Sequence, residues 1–323
     1  MKRAVVLGGG GVAGIAWATG IAAGLARAGV DIADADAFVG TSAGSVVGAQ
    51  LASGVAVETL LAQQLAPPAG SLEQARPYSQ ADADARNRHL MKRVGDDIDA
   101  ARRRIGAFAL RSETVPLDAR RAIVAGRLPR ATWPGRALHV VAVDTATGAH
   151  VVFDADGGVD FVDAIAASCA VPGAWPAVPI GGRVYMDGGI RSLTNADLAP
   201  DAKHVLVIAP LGYAEGNPVS GHLRAEVDGL RARGASVSVI VPDAASLDAM
   251  TDNVLDPSRC VPSAQAGLAQ AARMATEIAA AWHASSPADA VPITRGDMSW
   301  NHRDAALCGS ALADRWGRAS RCR

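Results

Sequence analysis

The N-terminal part of the chain alternates two strand patterns with two helix patterns, and each strand runs directly into a glycine-containing turn. Residues 3–7 form a short apolar run that is typical of a strand buried on both faces of a parallel sheet. Four glycines follow at 8–11, and a helical pattern then extends to about residue 28. Residues 36–39 predict a second strand, and another helix pattern follows it. This β-α-β-α order predicts an α/β fold with a mostly parallel central sheet and right-handed crossovers.

The second strand ends in a Gly-x-Ser-x-Gly motif, Gly40-Thr41-Ser42-Ala43-Gly44, placed between a strand and a helix. Small residues on both sides of the serine permit a sharp turn that exposes its hydroxyl at the carboxyl edge of the sheet. Ser42 is therefore a candidate nucleophile. Small residues also cluster in purely structural turns, so the motif needs support from the rest of the chain.

The first glycine turn has two interpretations. Its sequence, Gly9-Gly10-Gly11-Val12-Ala13-Gly14, fits the dinucleotide-binding pattern Gly-x-Gly-x-x-Gly. Such a site requires an acidic residue at the end of the second strand, but Ser42 follows that strand. The nearby acids come before its end, namely Asp31, Asp34 and Asp36. Converging backbone N–H groups at a helix N-terminus can instead stabilise an oxyanion. We favour an oxyanion hole at Gly9, Gly10 and Gly11, and a nucleotide-binding oxidoreductase is the alternative.

A nucleophilic serine requires a base within hydrogen-bonding reach. None of the seven histidines lies in a small-residue turn after a strand, where that base would be expected. His222, which opens a helix pattern, is the best candidate for a Ser-His-Asp arrangement. Asp187 closes a short strand and precedes Gly188–Gly189, so its carboxylate can point to the same sheet edge as Ser42. A Ser–Asp dyad is one interpretation, and an ordinary Asp-Gly-Gly turn is the other.

The glycine turn, the serine motif and Asp187-Gly188-Gly189 occur in an order that resembles the patatin-like phospholipase family over roughly the first 200 residues. The resemblance implies a three-layer α/β/α sandwich and hydrolysis of lipid acyl esters without a metal or organic cofactor. It implies that Ser42 is the nucleophile, that Asp187 accepts its proton, and that Gly9, Gly10 and Gly11 form the oxyanion loop. The residues that would support these motifs are Gly14, Gly40, Gly44, Gly188 and Gly189. The family commonly has Lys or Arg before the last glycine of that loop, where this chain has Ala13.

Composition excludes several other classes of protein. The formal net charge of −1 gives no electrostatic reason to expect a nucleic-acid partner. The four cysteines have no paired spacing, which argues against a disulfide scaffold or a zinc site. The glycines at 8–11 interrupt the apolar run after Lys2 and Arg3, so we read no signal peptide, and no stretch predicts a membrane span. We expect a cytoplasmic protein, free or peripheral at a membrane in transient contact with a lipid ester substrate, and nothing predicts its oligomeric state.

The order of the predicted elements indicates a catalytic domain over 1–210 and an α/β extension over 211–284 that packs on the same domain. A helical, lid-like insertion is expected over 66–130, with helical pieces near 82–94 and 96–110. Its basic segment, 86–104, either contacts phosphate or an anionic membrane or is a solvated helix face, and interleaved aspartates favour the second. Residues 285–323 predict a loosely ordered tail. A non-catalytic lipid-binding protein is a further alternative for the whole chain.

Overall fold

The computed structural model describes residues 2–66 and 71–284. Eight strands in these residues form one sheet: β1 Arg3–Leu7, β2 Ala37–Thr41, β3 Ala137–Asp144, β4 His150–Phe153, β5 Val178–Ile180, β6 Arg183–Asp187, β7 His204–Ile208 and β8 Ser236–Ile240. The helices of the same residues are α1 Gly11–Arg27, α2 Ala43–Ala52, α3 Val57–Leu65, α4 Gln80–Val94, α5 Ile98–Arg111, α6 Leu117–Arg127, α7 Phe161–Ser168, α8 Leu223–Ala232, α9 Ala244–Met250 and α10 Cys260–Trp282. The predicted tail, 285–323, lies outside the described residues.

The sheet is mostly parallel and has an antiparallel edge. Its strand order is β5-β6-β3-β2-β1-β7-β8, and β4 pairs with β3 away from this path. Strands β3, β2, β1, β7 and β8 run parallel, whereas β4, β5 and β6 pair in antiparallel fashion. In the register, Leu7 at the end of β1 lies opposite Gly40 of β2 and Ile208 of β7. The carboxyl end of β1 therefore brings the glycine turn beside the serine turn.

Helices cover both faces of the sheet. Alternate residues of β1 point to opposite faces, with Val5 and Leu7 in the core that contains α1, α2, α7 and α10. Ala4 and Val6 point to the second core, which α8 closes with Leu223 and other apolar residues. This alternation is the period of a strand that is buried on both faces. The predicted three-layer α/β/α sandwich with a mostly parallel sheet is confirmed.

Among the described elements, α1 and α10 form the most extensive contact, and glycines lie in it. A Cβ atom at Gly20 would lie 2.2 Å from the Ala264 carbonyl oxygen, and one at Gly267 would lie 2.3 Å from the Trp17 carbonyl oxygen. Both distances are too short for a side chain, so the two helix backbones approach each other directly. Because α1 begins at the glycine turn, this interface fixes the position of that turn.

The region 211–284 shares the sheet and the core with the preceding part of the chain. Strand β8 pairs with β7 along its whole length, and α10 packs on α1.

Helix α5, in the predicted insertion, packs closely on the chain after β3, since a Cβ at Gly106 would lie 2.0 Å from the Thr145 carbonyl oxygen. The domain boundaries and the lid-like role of 66–130 stay predictions. Among the described helices, none combines the length and apolar character needed to cross a bilayer.

Candidate active site

Ser42 occupies a strained turn between β2 and α2. Its φ of 53° and ψ of −117° place a non-glycine residue in a sparsely populated region of backbone conformation. The glycines of the motif make this turn fit. A Cβ at Gly40 would lie 2.5 Å from the Ser45 Cα, and one at Gly44 would lie 1.9 Å from the Leu7 carbonyl oxygen. The turn therefore requires glycine at both positions, which is the physical reason for the motif.

Two residues at the C-terminal end of α7 form hydrogen bonds with the backbone of Ser42. The Ser42 N–H donates to the Ser168 hydroxyl at 2.9 Å, and the Cys169 thiol donates to the Ser42 carbonyl at 3.2 Å. The Ser45 hydroxyl donates to the same carbonyl at 2.7 Å. Ser168 and Cys169 are not among the site residues predicted from the sequence. Their only signal was a polar pair at the end of an otherwise apolar helix.

Asp187 ends β6 and its carboxylate is buried. Its Oδ1 accepts a hydrogen bond from the Gly189 N–H at 2.7 Å, and this closes the turn after the strand. A Cβ at Gly188 would lie 2.2 Å from the Val141 carbonyl oxygen, so the chain can pass beside β3 only as glycine. Among the described residues, no donor makes a hydrogen bond of good geometry to Oδ2, which is buried. One carboxylate oxygen therefore remains available to a reacting group.

The structure places the Asp187 carboxylate beside Ser42. Burial raises the pKa of Asp187 to about 7, while the Ser42 hydroxyl, the Gly189 N–H and the charge of Arg120 lower it. The Ser42 hydroxyl thus interacts with the carboxylate, although the pair falls short of full hydrogen-bond geometry. Hydrogen bonds at a catalytic base are often loose in the absence of substrate. A carboxylate with a pKa near neutrality can accept a proton from a hydroxyl more readily than an ordinary aspartate.

The glycine turn lies against Ser42 and offers two N–H groups. A Cβ at Gly9 would lie 3.5 Å from the Ser42 Cβ. The Gly9 N–H already donates to the Leu193 carbonyl at 2.8 Å, so its predicted place as an oxyanion donor differs from the observed hydrogen bonding. The N–H groups of Gly10 and Gly11 have no acceptor among the described residues. A Cβ at Gly14 would lie 3.2 Å from the Pro210 Cβ, so the absence of a side chain lets the first turn of α1 lie close to the end of β7.

The loop after Asp187 ties the two turns together. The Thr41 hydroxyl donates to the Thr194 carbonyl at 3.2 Å, and the Asn195 side-chain amide donates to the Thr41 hydroxyl at 3.1 Å. The Asn195 amide also donates to the Gly188 carbonyl at 3.2 Å. The Thr194 hydroxyl donates to the buried Glu226 carboxylate of α8 at 2.7 Å. The loop therefore links β2, the turn after β6 and α8. Thr194, Asn195 and Glu226 are not among the site residues predicted from the sequence.

A small, partly open cavity contains Ser42. Its walls combine the glycine turn, the start of α2, two arginines of α6 and apolar side chains; the lining residues include Gly11, Ala43, Arg120, Arg127, Cys169 and Trp175. No histidine of the described chain lines it, and the His222 ring nitrogen instead lies 3.0 Å from the Val219 carbonyl. Asp36, before β2, accepts the Arg3 N–H at the other end of the sheet. In residues 2–66 and 71–284, no cluster of three potential metal ligands occurs.

Comparison with known proteins agrees with the motifs. A protein-family model described as patatin-like phospholipase matches residues 5–200. The crystal structure of VipD from Legionella pneumophila aligns with 12% identity and a TM-score of 0.40, over 85% of this chain and 66% of VipD. The type III effector protein ExoU aligns with 17% identity and a TM-score of 0.39, over 85% of this chain and 53% of ExoU. The chain thus spans about two thirds of the length of one and half of the other. No curated protein sequence matches it.

We expect Asp187→Asn to increase stability in a pH-dependent way. Because the folded pKa is raised to about 7 from an unfolded value of about 3.9, the folded protein holds this proton more tightly than the unfolded chain. The free energy of unfolding of the wild-type protein therefore falls as pH rises from about 3.9 to about 7. Asparagine does not titrate, so the variant lacks this loss. The gain of the variant over wild type should grow by about 2–3 kcal/mol between roughly pH 5 and pH 8, measured by denaturant unfolding.

The matched control is Asp228→Asn, which removes a carboxylate from an exposed position on α8. A gain for Asp187→Asn that stays constant between these two pH values would contradict the raised pKa.

Proposed function

Because this chain belongs to the patatin-like phospholipase family, we propose that it is a serine hydrolase of lipid carboxylic esters that uses a Ser42–Asp187 dyad. The observation that carries the dyad is the pairing of a strained serine with a buried carboxylate that keeps one oxygen free. The strained serine and the buried carboxylate each oppose folding, but together they supply a nucleophile and its base. Membership in the family supports hydrolysis of lipid esters, and the dyad and the substrate class are our proposal.

In the first step, the Ser42 hydroxyl attacks the ester carbonyl and Asp187 accepts its proton at the unoccupied Oδ2. Negative charge then develops on the carbonyl oxygen. The free N–H groups of Gly10 and Gly11, at the N-terminus of α1, are the donors that we assign to this oxyanion. Collapse of the tetrahedral intermediate breaks the ester bond, and the leaving alcohol takes the proton from Asp187. An acyl group remains on Ser42.

In the second step, Asp187 accepts a proton from a water molecule that attacks the acyl-enzyme. The second tetrahedral intermediate collapses, the fatty acid leaves, and the proton returns to Ser42. The same two residues therefore serve both halves of the reaction, without a metal or organic cofactor. Burial of Asp187 is useful in both steps because it keeps the pKa of the base near the working pH.

We propose phospholipids or lysophospholipids as the substrate class and transient contact with a membrane surface. The large apolar side chains of Phe108 and Leu110 on α5 are about half exposed, at 48% and 55%. Phe108 lies beside Gly173, two residues after the cavity residue Val171. Apolar side chains near the cavity can contact the acyl region of a membrane from which the ester enters. A cytoplasmic location is part of this proposal.

Substitution of either dyad residue should abolish turnover. Ser42→Ala removes the nucleophilic oxygen, and Asp187→Asn keeps the shape of the side chain but removes the proton acceptor. We expect each to lower kcat for p-nitrophenyl acyl esters by at least about 1,000-fold. Ser53→Ala at the end of α2 and Asp228→Asn on α8 are matched controls that should retain turnover. Wild-type turnover in either dyad variant would contradict the mechanism.

The dyad also predicts the pH dependence of activity. Asp187 accepts a proton only when it is ionised, and its pKa is raised to about 7. The value of kcat/KM should therefore increase with pH through about 7 and level off above it. The expected increase between pH 5.5 and pH 8.5 is roughly 30-fold, measured with a p-nitrophenyl ester after subtraction of the uncatalysed rate. A flat profile over this range would exclude Asp187 as the base.

A further inference from the structure

Arg120 of α6 is a buried cation with unused hydrogen-bond donors. Only 2% of the residue is exposed, and it lines the cavity that contains Ser42. One terminal nitrogen donates to the Cys169 carbonyl at 3.4 Å, whereas Nε and the other terminal nitrogen have no partner among the described residues. A guanidinium has five N–H donors, and leaving them unpaired away from water is unfavourable. Such a group is the expected binding partner of an anion.

Among the described residues, no carboxylate forms a hydrogen bond or an ion pair with Arg120. Arg127 lines the same cavity but donates two hydrogen bonds to the Glu73 carboxylate, at 2.6 and 2.7 Å. The glycine turn brings no cation, because residues 8–14 contain no basic side chain. Glu73 and Asp187 both attract Arg120 electrostatically, but neither carboxylate is hydrogen-bonded to it. Arg120 is therefore the charge on the cavity wall that lacks a hydrogen-bonded carboxylate.

Aromatic stacking fixes the orientation of this guanidinium. Its central carbon lies 3.8 Å from the centre of the Trp175 ring, and Arg76 approaches the same ring at 5.6 Å. Stacking occupies a face of the guanidinium and leaves its edge, which carries the N–H donors, available for planar contacts. Burial and the charge of Arg127 lower the pKa of Arg120 to about 9, so that it remains protonated at neutral pH.

We propose that Arg120 is a specificity-determining residue that binds the phosphate of the substrate beside the ester that Ser42 attacks. This inference rests on the proposed lipid hydrolase function. In a phospholipid or lysophospholipid, only a short glycerol segment separates the ester from the phosphate. A guanidinium edge matches two phosphate oxygens, and charged pairs of this kind are stronger than neutral hydrogen bonds. Arg120 thus selects esters with a neighbouring anionic group over neutral esters.

The test compares two substrates with the same acyl chain, lysophosphatidic acid and monoacylglycerol, each below its aggregation concentration. Release of fatty acid gives kcat/KM for both, and their ratio measures selectivity. We expect Arg120→Gln to lower this ratio by about 10- to 100-fold, mainly through KM for the phosphorylated substrate. Arg120→Lys keeps the charge and should restore part of the ratio. Because both rates come from one preparation, partial misfolding cancels.

The control is Arg121→Gln on the same helix, whose exposed side chain pairs with Asp160 and Asp163. It should leave the ratio unchanged. The proposal would be overturned if Arg120→Gln left the ratio unchanged, whether both rates stayed at wild-type values or fell by the same factor. Equal losses would mean that Arg120 acts only by holding the Cys169 carbonyl, and so the end of α7 behind Ser42.

Calorimetric binding to Ser42→Ala separates this inference from the hydrolase function. Lysophosphatidic acid should bind Ser42→Ala at least about 10-fold more tightly than it binds Ser42→Ala/Arg120→Gln, and more tightly than inorganic phosphate binds Ser42→Ala. If wild type cleaves neither ester but this difference persists, the hydrolase proposal fails and anion recognition by Arg120 stands. Equal binding of the lipid to both variants would overturn the inference, and so would inorganic phosphate binding as tightly as the lipid.

Discussion

The structure of the site depends on one unfavourable feature, a carboxylate buried with a free oxygen. Asp187 receives one good hydrogen bond, from the Gly189 N–H, and burial raises its pKa to about 7. Burial of an incompletely paired carboxylate opposes folding, so the surrounding structure must hold it in place. Strand β6 does so by pairing with β3, where Asp187 lies opposite Ala142. The glycine at 188 then lets the chain turn against β3.

The loop after Asp187 also positions the serine turn and the glycine turn. Leu193 accepts the Gly9 N–H, Thr194 accepts the Thr41 hydroxyl, and Asn195 joins Thr41 to the turn after Asp187. The serine turn and the glycine turn are thus positioned by the segment that follows the base. A shift of this loop would move all three elements together, which is how a rigid scaffold can keep reacting groups within hydrogen-bonding distance.

The sequence was sufficient to predict features that depend on residues close together in the chain. Gly40 and Gly44 are needed because atoms of residue 45 and of β1 leave no space for a side chain, and the order of short apolar runs fixed the parallel sheet. The missed contacts are long-range: Ser168 bonds the Ser42 N–H across 126 residues, and Thr194 accepts from Thr41 across 153. The Gly9 N–H, predicted as an oxyanion donor, instead donates to the Leu193 carbonyl, and no local pattern reveals this distant acceptor. No local pattern distinguishes Arg120 from its neighbour Arg121, yet packing buries the first and leaves the second partly exposed.

The most direct test of the dyad is the site and rate of covalent labelling by an active-site-directed fluorophosphonate, followed by intact and peptide mass spectrometry. The account predicts one adduct, on the peptide that contains Ser42, and labelling of Asp187→Asn at least about 100-fold slower because the serine keeps its proton. Asp228→Asn should be labelled at the wild-type rate. An adduct on another residue, no labelling of the folded protein, or an unchanged rate in Asp187→Asn would contradict a Ser42–Asp187 hydrolase.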